Sequence, residues 1–344
     1  GYAIRAGDGG LDASLRVIGE SPAGHPWQGS LGQGEAVRLF TGSVIPQGAD
    51  TVLLQEDAAR EGDRVTVTEA VRPARHIRRQ GQDFATGETV IPQGKRLTAR
   101  DVGLAAAANH PWLRVHQRPR VAILATGDEI ALPGEAIPAG GIISSNAHAL
   151  AALIRAQGAT PLILPIAGDS IEAIGDAAVN AGAVDMLVTT GGASVGDHDL
   201  VATALAARGL TLDFWKIAMR PGKPLMHGDW RGTPMLGLPG NPVSALVCAL
   251  RFLVPALARL SGRADTALET ETATLATPLP PNDQRADHLR ATLAGNTVTP
   301  FPVQDSAMLR RLALADALIL RPPHDPAREK GDPVTILRLE RFGI

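Results

Sequence analysis

The sequence predicts a multidomain α/β protein built around one doubly wound, mostly parallel sheet, with a β-rich module before it and a small β-barrel or sandwich after it. Three observations lead there. From Arg120 onward, short apolar runs alternate with helical stretches, and regular βαβ alternation implies parallel strands joined by right-handed crossovers. From Ala13 to about Arg75 the apolar runs are short, turn residues separate them, and helical periodicity is missing. After Gly262 the helical texture stops again. The modules fall at residues 13–75, 119–265 and 266–344.

In the first module, β-like runs occur at Ala36–Phe40, Thr51–Gln55 and Arg64–Thr68. The pentapeptide Val-Ile-Pro-Gln-Gly occurs at Val44–Gly48 and again at Val90–Gly94, each reading as a strand that enters a proline-led turn. An alanine-rich helix over 98–109 opens with Thr98 as N-cap and Asp101 three residues on. The α/β region then runs in order: strand Val121–Ala125, helix Ser145–Gln157, strand Pro161–Ile166, helix Ser170–Asn180, strand Val184–Thr189 and helix Leu200–Arg208. Strands at Phe214–Ala218, near Leu225–His227 and at Met235–Leu238 follow, then a long helix, Val243–Leu260. Arg251, Pro255 and Arg259 interrupt that apolar helix, so it reads as buried core and not as a membrane span. Strands are expected in Thr272–Thr277, Asp287–Thr299 and Pro333–Leu339, with a proline-rich loop at Arg321–Pro326.

Composition narrows the function classes. The 344 residues leave room for several domains, and 44% hydrophobic with 20% charged residues is ordinary for a globular protein. A net charge of −2 gives no attraction to nucleic acid or to an acidic membrane, so neither is expected as a partner. The single cysteine, Cys248, lies in an apolar helical pattern and reads as a small core residue. No secretory signal is visible, which makes the cytoplasm the default address. Gly1 is not a natural start residue, so the chain reads as shortened or processed.

The loops after the α/β strands carry the chemistry, because open parallel sheets bind ligands beyond the carboxyl ends of their strands. The richest is the stretch after Met186–Val188, where Gly191, Gly192, Ser194 and Gly196 are followed by Asp197 and Asp199. A glycine-rich strand-to-helix turn offers free N–H groups to an anion, and carboxylates beside it call for a divalent cation. A plain glycine turn capped by aspartate explains the same residues. The other strand ends carry Gly127, Asp128 and Glu129; Asp169; Lys216, Arg220, Lys223 and Pro224; and Asn241 and Ser244. Taken singly, Asp169 and Ser244 could be helix caps and Pro-Gly-Lys-Pro a turn. Five such ends on one rim point to a site for an anion and a metal.

Thr-Gly-Asp-Glu, Thr-Gly-Gly-x-Ser-x-Gly-Asp-x-Asp, Pro-Gly-Lys-Pro and Leu-Pro-Gly-Asn-Pro-Val-Ser, in this order, resemble the molybdopterin molybdenumtransferase family, which includes the E domain of gephyrin. Gly1–Arg5 resembles the tail of the family's Met-Asp-Gly-Tyr-Ala motif, and Phe40-Thr41-Gly42 and Arg79-Gln80-Gly81-Gln82-Asp83 resemble two further segments. The resemblance implies a transferase that inserts molybdenum from molybdate into adenylylated molybdopterin with release of AMP. It implies Mg²⁺ as cofactor, a homodimer, and a molybdopterin adenylyltransferase as the substrate donor. It also implies four domains: a linker of residues 1–12 and 76–118, the β-rich domain, an α/β domain of molybdopterin-binding type, and a C-terminal barrel. By motif position, Lys223, Pro224, Ser244, either Arg285 or Arg290, and Ser306 would line the molybdate pocket. Gly127, Glu129, Asp169, Asp185, Ser194 and Asp199 would surround nucleotide, pterin phosphate and metal, and Thr41 and Asp83 would come from the other subunit.

The residue chemistry agrees with that assignment. A tetrahedral dianion needs cations, which Arg220 and Lys223 supply, and Asp169 and Asp199 are hard oxygen ligands suited to Mg²⁺. No nucleophile stands out, so catalysis by positioning is expected. Arg220 stands where the family usually has lysine. The aspartate before Gly1 and the N-terminal helical part of the linker are missing, which is expected to impair activity and dimer packing. Two alternatives stay open: a molybdopterin adenylyltransferase or other phosphate-handling enzyme on the same α/β fold, and a non-catalytic scaffold of the gephyrin type.

Overall fold

The computed structural model describes residues 1–191 and 200–344, which form two compact units, residues 1–90 and 91–344. In the first unit six strands make one sheet: β1 (Tyr2–Ile4), β2 (Ser14–Ser21), β3 (Glu35–Leu39), β4 (Thr51–Leu53), β5 (Ala58–Glu61) and β6 (Arg64–Val67), in the order β4-β1-β3-β2-β6-β5. The sheet is buried on both faces by strict alternation. Tyr2 and Ile4 pack with Leu15, Leu53 and Val65, while Ala3 between them packs with Val37, Leu39 and Val52.

The three β-like runs of the sequence appear as β3, β4 and β6. The other three strands carry weaker signals: β2 is interrupted by Arg16, Gly19 and Glu20, β5 is a polar, largely exposed edge, and β1 is three residues long. Tyr2–Ile4 is fully buried and hydrogen-bonded between β3 and β4, and the chain passes from one compact unit to the other at 90/91.

The second unit opens with α1 (Ala99–Ala107), where Thr98 and Asp101 form the expected capping box. The strands β7 (Arg120–Ala125), β8 (Ile130–Ala131) and β9 (Ile142–Ile143) lead to α2 (Asn146–Ala156). Then come β10 (Thr160–Ile163), α3 (Ile171–Val179), β11 (Met186–Thr190), α4 (Leu200–Ala206), β12 (Leu210–Trp215), β13 (Met219–Arg220), β14 (Met226–Trp230) and β15 (Thr233–Leu238). The main sheet has the order β10-β7-β11-β15-β14-β12. Its first four strands are parallel, and β14 runs antiparallel between β15 and β12.

Helices cover both faces. Val121, Ile123, Met186 and Val188 pack on α2 and on the long helix α5 (Pro242–Leu260), while Ala122, Leu124 and Leu187 pack on α3 and α4. The doubly wound, mostly parallel sheet is therefore present as expected. α5 has the length and hydropathy of a membrane-crossing helix, yet 67% of its most apolar window is buried in this core. It contains a π turn at Ala249–Leu253, with Val254 N–H donating to the Ala249 carbonyl, and Pro255 follows directly. A proline ring clashes with the carbonyl four residues back, and a widened turn relieves that clash.

Five strands close a barrel at the C-terminus: β16 (Glu271–Leu275), β17 (Ala286–Ala294), β18 (Thr297–Pro300), β19 (Ala317–Arg321) and β20 (Pro333–Arg338), paired in the ring β17-β18-β16-β20-β19-β17. Two expectations are corrected here. The strand expected at Phe214–Ala218 ends at Trp215, because Lys216 has a φ of +125°. The next two residues to pair, Met219 and Arg220, leave the main sheet and add to β17 of the barrel. Helices do not vanish after Gly262, since Leu309–Ala313 forms a short one. In the loop at Arg321–Pro326, the buried pair of Arg321 and Asp325 (2.8 Å) fixes the turn, with Arg321 also donating to the Pro280 and Pro326 carbonyls.

Gly222, between β13 and β14, packs its Cα face on α5. It has a φ of +113°, and a Cβ there would stand 2.3 Å from Cys248 Sγ. Gly222→Ala should therefore destabilise the protein by about 2–4 kcal/mol through overpacking and backbone strain together. Gly103→Ala, in open space on α1, should stabilise it by about 0.5–1 kcal/mol. Urea midpoints of the two variants check both signs.

Candidate functional site

Parallel register brings the strand ends together. Thr190 is paired with Ala125 on one side and with Leu238 on the other, so the loops after β7, β11 and β15 leave the sheet side by side. A cavity of about 650 Å³ lies there. Of the residues expected at the site, it is lined by Glu129, Gly191, Pro224, Asn241 and Ser244. Ser306 is fixed beside it, its hydroxyl accepting from Asn241 Nδ2 at 3.1 Å and its carbonyl from Val243 N–H at 3.1 Å. Neighbouring Ala307 lines the cavity as well.

The cap explanations can now be decided. Asn241 is the N-cap of α5 and Ser244 lies inside the helix, 4% exposed, so Ser244 is no cap. The cap of α3 is Ser170, whose Oγ accepts from Ala173 N–H, which leaves Asp169 in the loop before it. Asp169 and Asp128 hold each other: Asp169 N–H donates to Asp128 Oδ1 at 3.0 Å, and Asp128 N–H to Asp169 Oδ2 at 3.4 Å. Gly168 makes this possible, since a Cβ there would lie 2.9 Å from Asp128 Oδ1. Gly127 has a φ of +145°, and a Cβ on it would meet the Glu129 carboxylate at 2.6 Å.

Gly192, Ser194, Gly196 and Asp199 lie outside the described residues. Among the described residues no group of three or more His, Cys, Asp or Glu side chains is placed to hold a metal. Asp169 remains as an exposed carboxylate on the rim, with one oxygen not engaged by Asp128.

Asp185 is a correction. It precedes β11 at the opposite edge of the sheet, where its carboxylate accepts from Arg120 N–H at 2.7 Å and its own N–H donates to the Arg120 carbonyl at 2.8 Å. Five strand residues separate it from Gly191, about 16 Å or more at the usual rise. A carboxylate before the apolar run of a parallel strand cannot reach the rim that follows it. Asp185 is a register pin between β7 and β11.

The cations divide by partner. Arg220 forks onto Asp287 (Nε to Oδ1 2.8 Å, Nη2 to Oδ2 2.7 Å) and reaches Asp283 at 3.4 Å. A guanidinium spans both oxygens of a buried carboxylate as an ammonium cannot, which accounts for arginine at this position. Arg220 thus serves as a clamp to the barrel. Arg285 is also committed, its Nη2 donating to Asp283 at 2.8 Å. Its hydrogen bonds to Asp283 hold that carboxyl down to about 2. The Lys216 ammonium sits 4.7 Å over the Trp215 ring. Lys223 is exposed and makes no ion pair among the described residues, while its carbonyl accepts from Ile217 N–H at 3.0 Å and so fixes its backbone.

Arg290 is different. It is 1% exposed, with Nε on Gln304 Oε1 (3.2 Å) and Nη1 on the Met308 carbonyl (3.1 Å), and its buried Nη2 has no partner among the described residues. Burial pushes its pKa down. Arg285 and Arg290, alike in the sequence, thus differ in depth and in partners. Thr41 and Asp83 belong to the first unit, where both are exposed loop residues.

Asn146, which the sequence did not single out, lines the cavity. Its only sequence signal is its place at the start of α2.

Three family regions match in order. The MoeA N-terminal region (domain I and II) covers residues 1–109, the probable molybdopterin binding domain 122–259, and the MoeA C-terminal region (domain IV) 272–339. The "Molybdopterin molybdenumtransferase 2" of Mycobacterium tuberculosis is 35% identical over 333 residues, 93% of this chain and 82% of that protein. The chain belongs to the molybdopterin molybdenumtransferase family. The molybdopterin molybdenumtransferase of Nostoc sp. is 38% identical over 273 residues, which is 77% of this chain but less than two thirds (63%) of that relative's length. The crystal structure of the molybdopterin biosynthesis MoeA protein from Pyrococcus horikoshii superposes with a TM-score of 0.85 at 26% identity, covering 98% of this chain and 85% of that one. In this chain the Pro-Gly-Lys-Pro segment, through Pro224, and the Pro-Gly-Asn-Pro segment border one cavity, with Ser306 hydrogen-bonded to Asn241 beside it.

His288 follows the clamp carboxylate Asp287 in β17. It is 5% exposed and its Nδ1 has no partner among the described residues. Burial first, and then Arg251, push its pKa down to about 4. The native state keeps His288 neutral while the unfolded chain takes up a proton near 6.5, so stability is lost as pH falls between those values. The total should approach 3 kcal/mol, to order of magnitude. Urea unfolding at pH 7, 5 and 4 should show His288→Gln losing less stability than wild type over this range. Parallel curves would exclude His288 as the titrating group.

Proposed function

We propose that this protein inserts molybdenum from molybdate into adenylylated molybdopterin and releases AMP, in the cytoplasmic synthesis of the molybdenum cofactor. Family membership supports the pathway, and one observation carries the reading at the site. Arg290 is buried and charged, its Nη2 has no hydrogen-bond partner among the described residues, and its Nη1 donates to the Met308 carbonyl next to Ala307, which lines the cavity. An unpaired donor in that position is costly unless an anion completes it, and a tetrahedral oxyanion has the acceptors to do so.

Lys223 adds the second cation, on a backbone restricted by Pro221 and Pro224. Ser244 and Pro224 line the cavity, and Ser306, held by Asn241 beside it, would add a second hydroxyl. The glycine backbone at Gly191, where a Cβ would meet the Thr126 carbonyl at 2.5 Å, lets the phosphate end of the pterin approach the main chain. Glu129 and Asp128 border the nucleotide side. Asp169, with Asp199, would hold Mg²⁺, whose charge would offset that of the phosphates as the anhydride opens. The protein groups themselves bind and orient the two substrates, and that positioning is the catalysis.

The functional unit in this reading is a homodimer in which Thr41 and Asp83 of one subunit complete the rim of the other. A molybdopterin adenylyltransferase is the donor of the adenylylated substrate.

Two outcomes test this. Lys223→Ala should weaken molybdate binding about 10–100-fold, the size of one charge-assisted contact, and AMP binding much less. Separate calorimetric titrations of molybdate and AMP decide it, and an equal loss for both would make Lys223 a general phosphate clamp. If sites are shared between subunits, co-expressing Asp83→Ala with Lys223→Ala should restore measurable AMP release in the mixed dimer, where one site is intact. Activity in each variant alone, or none in the mixture, would contradict the shared site.

A further inference from the structure

Asn146 opens α2 and reaches across to two loops. Its side-chain NH₂ donates to Thr190 Oγ1 at 2.9 Å and to the Gly240 carbonyl at 2.7 Å, so both of its protons are used. Thr190 Oγ1, having accepted that bond, has its one proton directed at the Pro239 carbonyl, 3.4 Å away. Thr190 is the last residue of β11, and Pro239 and Gly240 follow β15. One side chain on a third element therefore ties the end of one strand to the turn after its neighbour.

The two backbones meet where neither has a side chain. A Cβ on Gly240 would lie 3.6 Å from Gly191 Cα, and Gly191 itself, at φ +93°, is closed off by the Thr126 carbonyl. Glycines carry no side-chain packing of their own and leave the chain free to move. The ladder between β11 and β15 also stops at Thr190 and Leu238. Beyond that pair, the described hydrogen bonds that link the two turns are those of Asn146 and Thr190.

We infer that Asn146 is a positioning residue of the site: it sets the turn at Gly191 against the Pro239–Asn241 turn, and through it the start of α5 with Ser244. The requirement is two N–H donors on a short neutral side chain. Aspartate has the same shape and offers acceptors where both partners accept, so the Gly240 carbonyl would face a carboxylate. The site role rests on the function proposed above, while the structural tie does not.

Hydrogen exchange followed by mass spectrometry, and calorimetric titration with AMP, test both halves on the full chain. In Asn146→Asp, exchange over residues 187–191 and 236–245 should rise about tenfold, with protection of β7 and of the middle of α5 unchanged. AMP should bind about tenfold more weakly, the equivalent of one lost hydrogen bond. Thr190→Val keeps the shape and removes the relay. Combined with Asn146→Asp, it should add less than a twofold further loss, because both act through one chain of bonds. Asn146→Ser and Thr190→Val carry the same comparison if Asn146→Asp does not fold.

Unchanged exchange in both loops, or losses in AMP affinity that multiply in the double variant, would overturn the positioning role. Wild-type protein that binds no AMP while the exchange change persists would instead sink the proposed function and leave the structural tie standing.

Discussion

The register of β11 between β7 and β15 is the constraint on which the rest of the second unit depends. Parallel strands have all their carboxyl ends on one edge, and pairing Thr190 with both Ala125 and Leu238 brings three loops to the same height. A slip of β11 by one residue would turn Met186 and Val188 away from α2 and α5 towards the opposite face. The hydrophobic pattern therefore fixes the register, and the register fixes the rim. At the other edge Asp185 helps by tying its carboxylate to Arg120 N–H, which sets β7 against β11 where the strands begin.

The barrel is built into this edge through a very small element. Met219 and Arg220 leave the main sheet, pair with Ala286 and Asp287, and are locked by the fork of Arg220 on Asp287. Gly222 then packs on α5 too closely for any side chain, and Pro224 lines the cavity. Barrel, segment 219–224 and α5 thus hold one another. The Ser306 contacts to Asn241 and Val243 N–H close the arrangement from the other side. This is why barrel residues can belong to a site on the α/β sheet.

Legibility in the sequence followed signal strength. The core strands β7 and β11 are apolar runs, and their helices have caps or helical periodicity, so the doubly wound sheet could be read directly. β13 has two residues and no period, and its pairing with the barrel left no trace in the pattern. β1 and β5 were too short or too polar to register. At the site, motif spacing found Glu129, Gly191, Asn241 and Ser244 on one cavity, because each follows a parallel strand, and Pro224 joins them from the segment between β13 and β14. It misplaced Asp185, which precedes one. Arg220 and Arg285 looked like free cations because spacing carries no information about partners, and both prove to be bound to carboxylates of the same loop and strand. Asn146 was invisible for the same reason, since a hydrogen-bonding tie between two glycine turns has no signature of its own.

Separating bound from unbound charge is what gives the rim its direction. Arg220 and Arg285 are neutralised by Asp283 and Asp287, so they contribute little field at the cavity. Lys223 is unpaired among the described residues but exposed, and water and salt screen it until a ligand covers it. Arg290 is buried, and its Nη2 has no partner among the described residues. A charge held in that state raises the energy of the protein, and in the function proposed above an entering oxyanion would remove that cost, so its contribution would appear in binding rather than in folding. The backbone carbonyl of Met308 and the amide of Gln304 hold the guanidinium in place beforehand, which spares the reorganisation a flexible surface cation would need. On that physical ground the anion site proposed above centres on Arg290 more than on the exposed lysine.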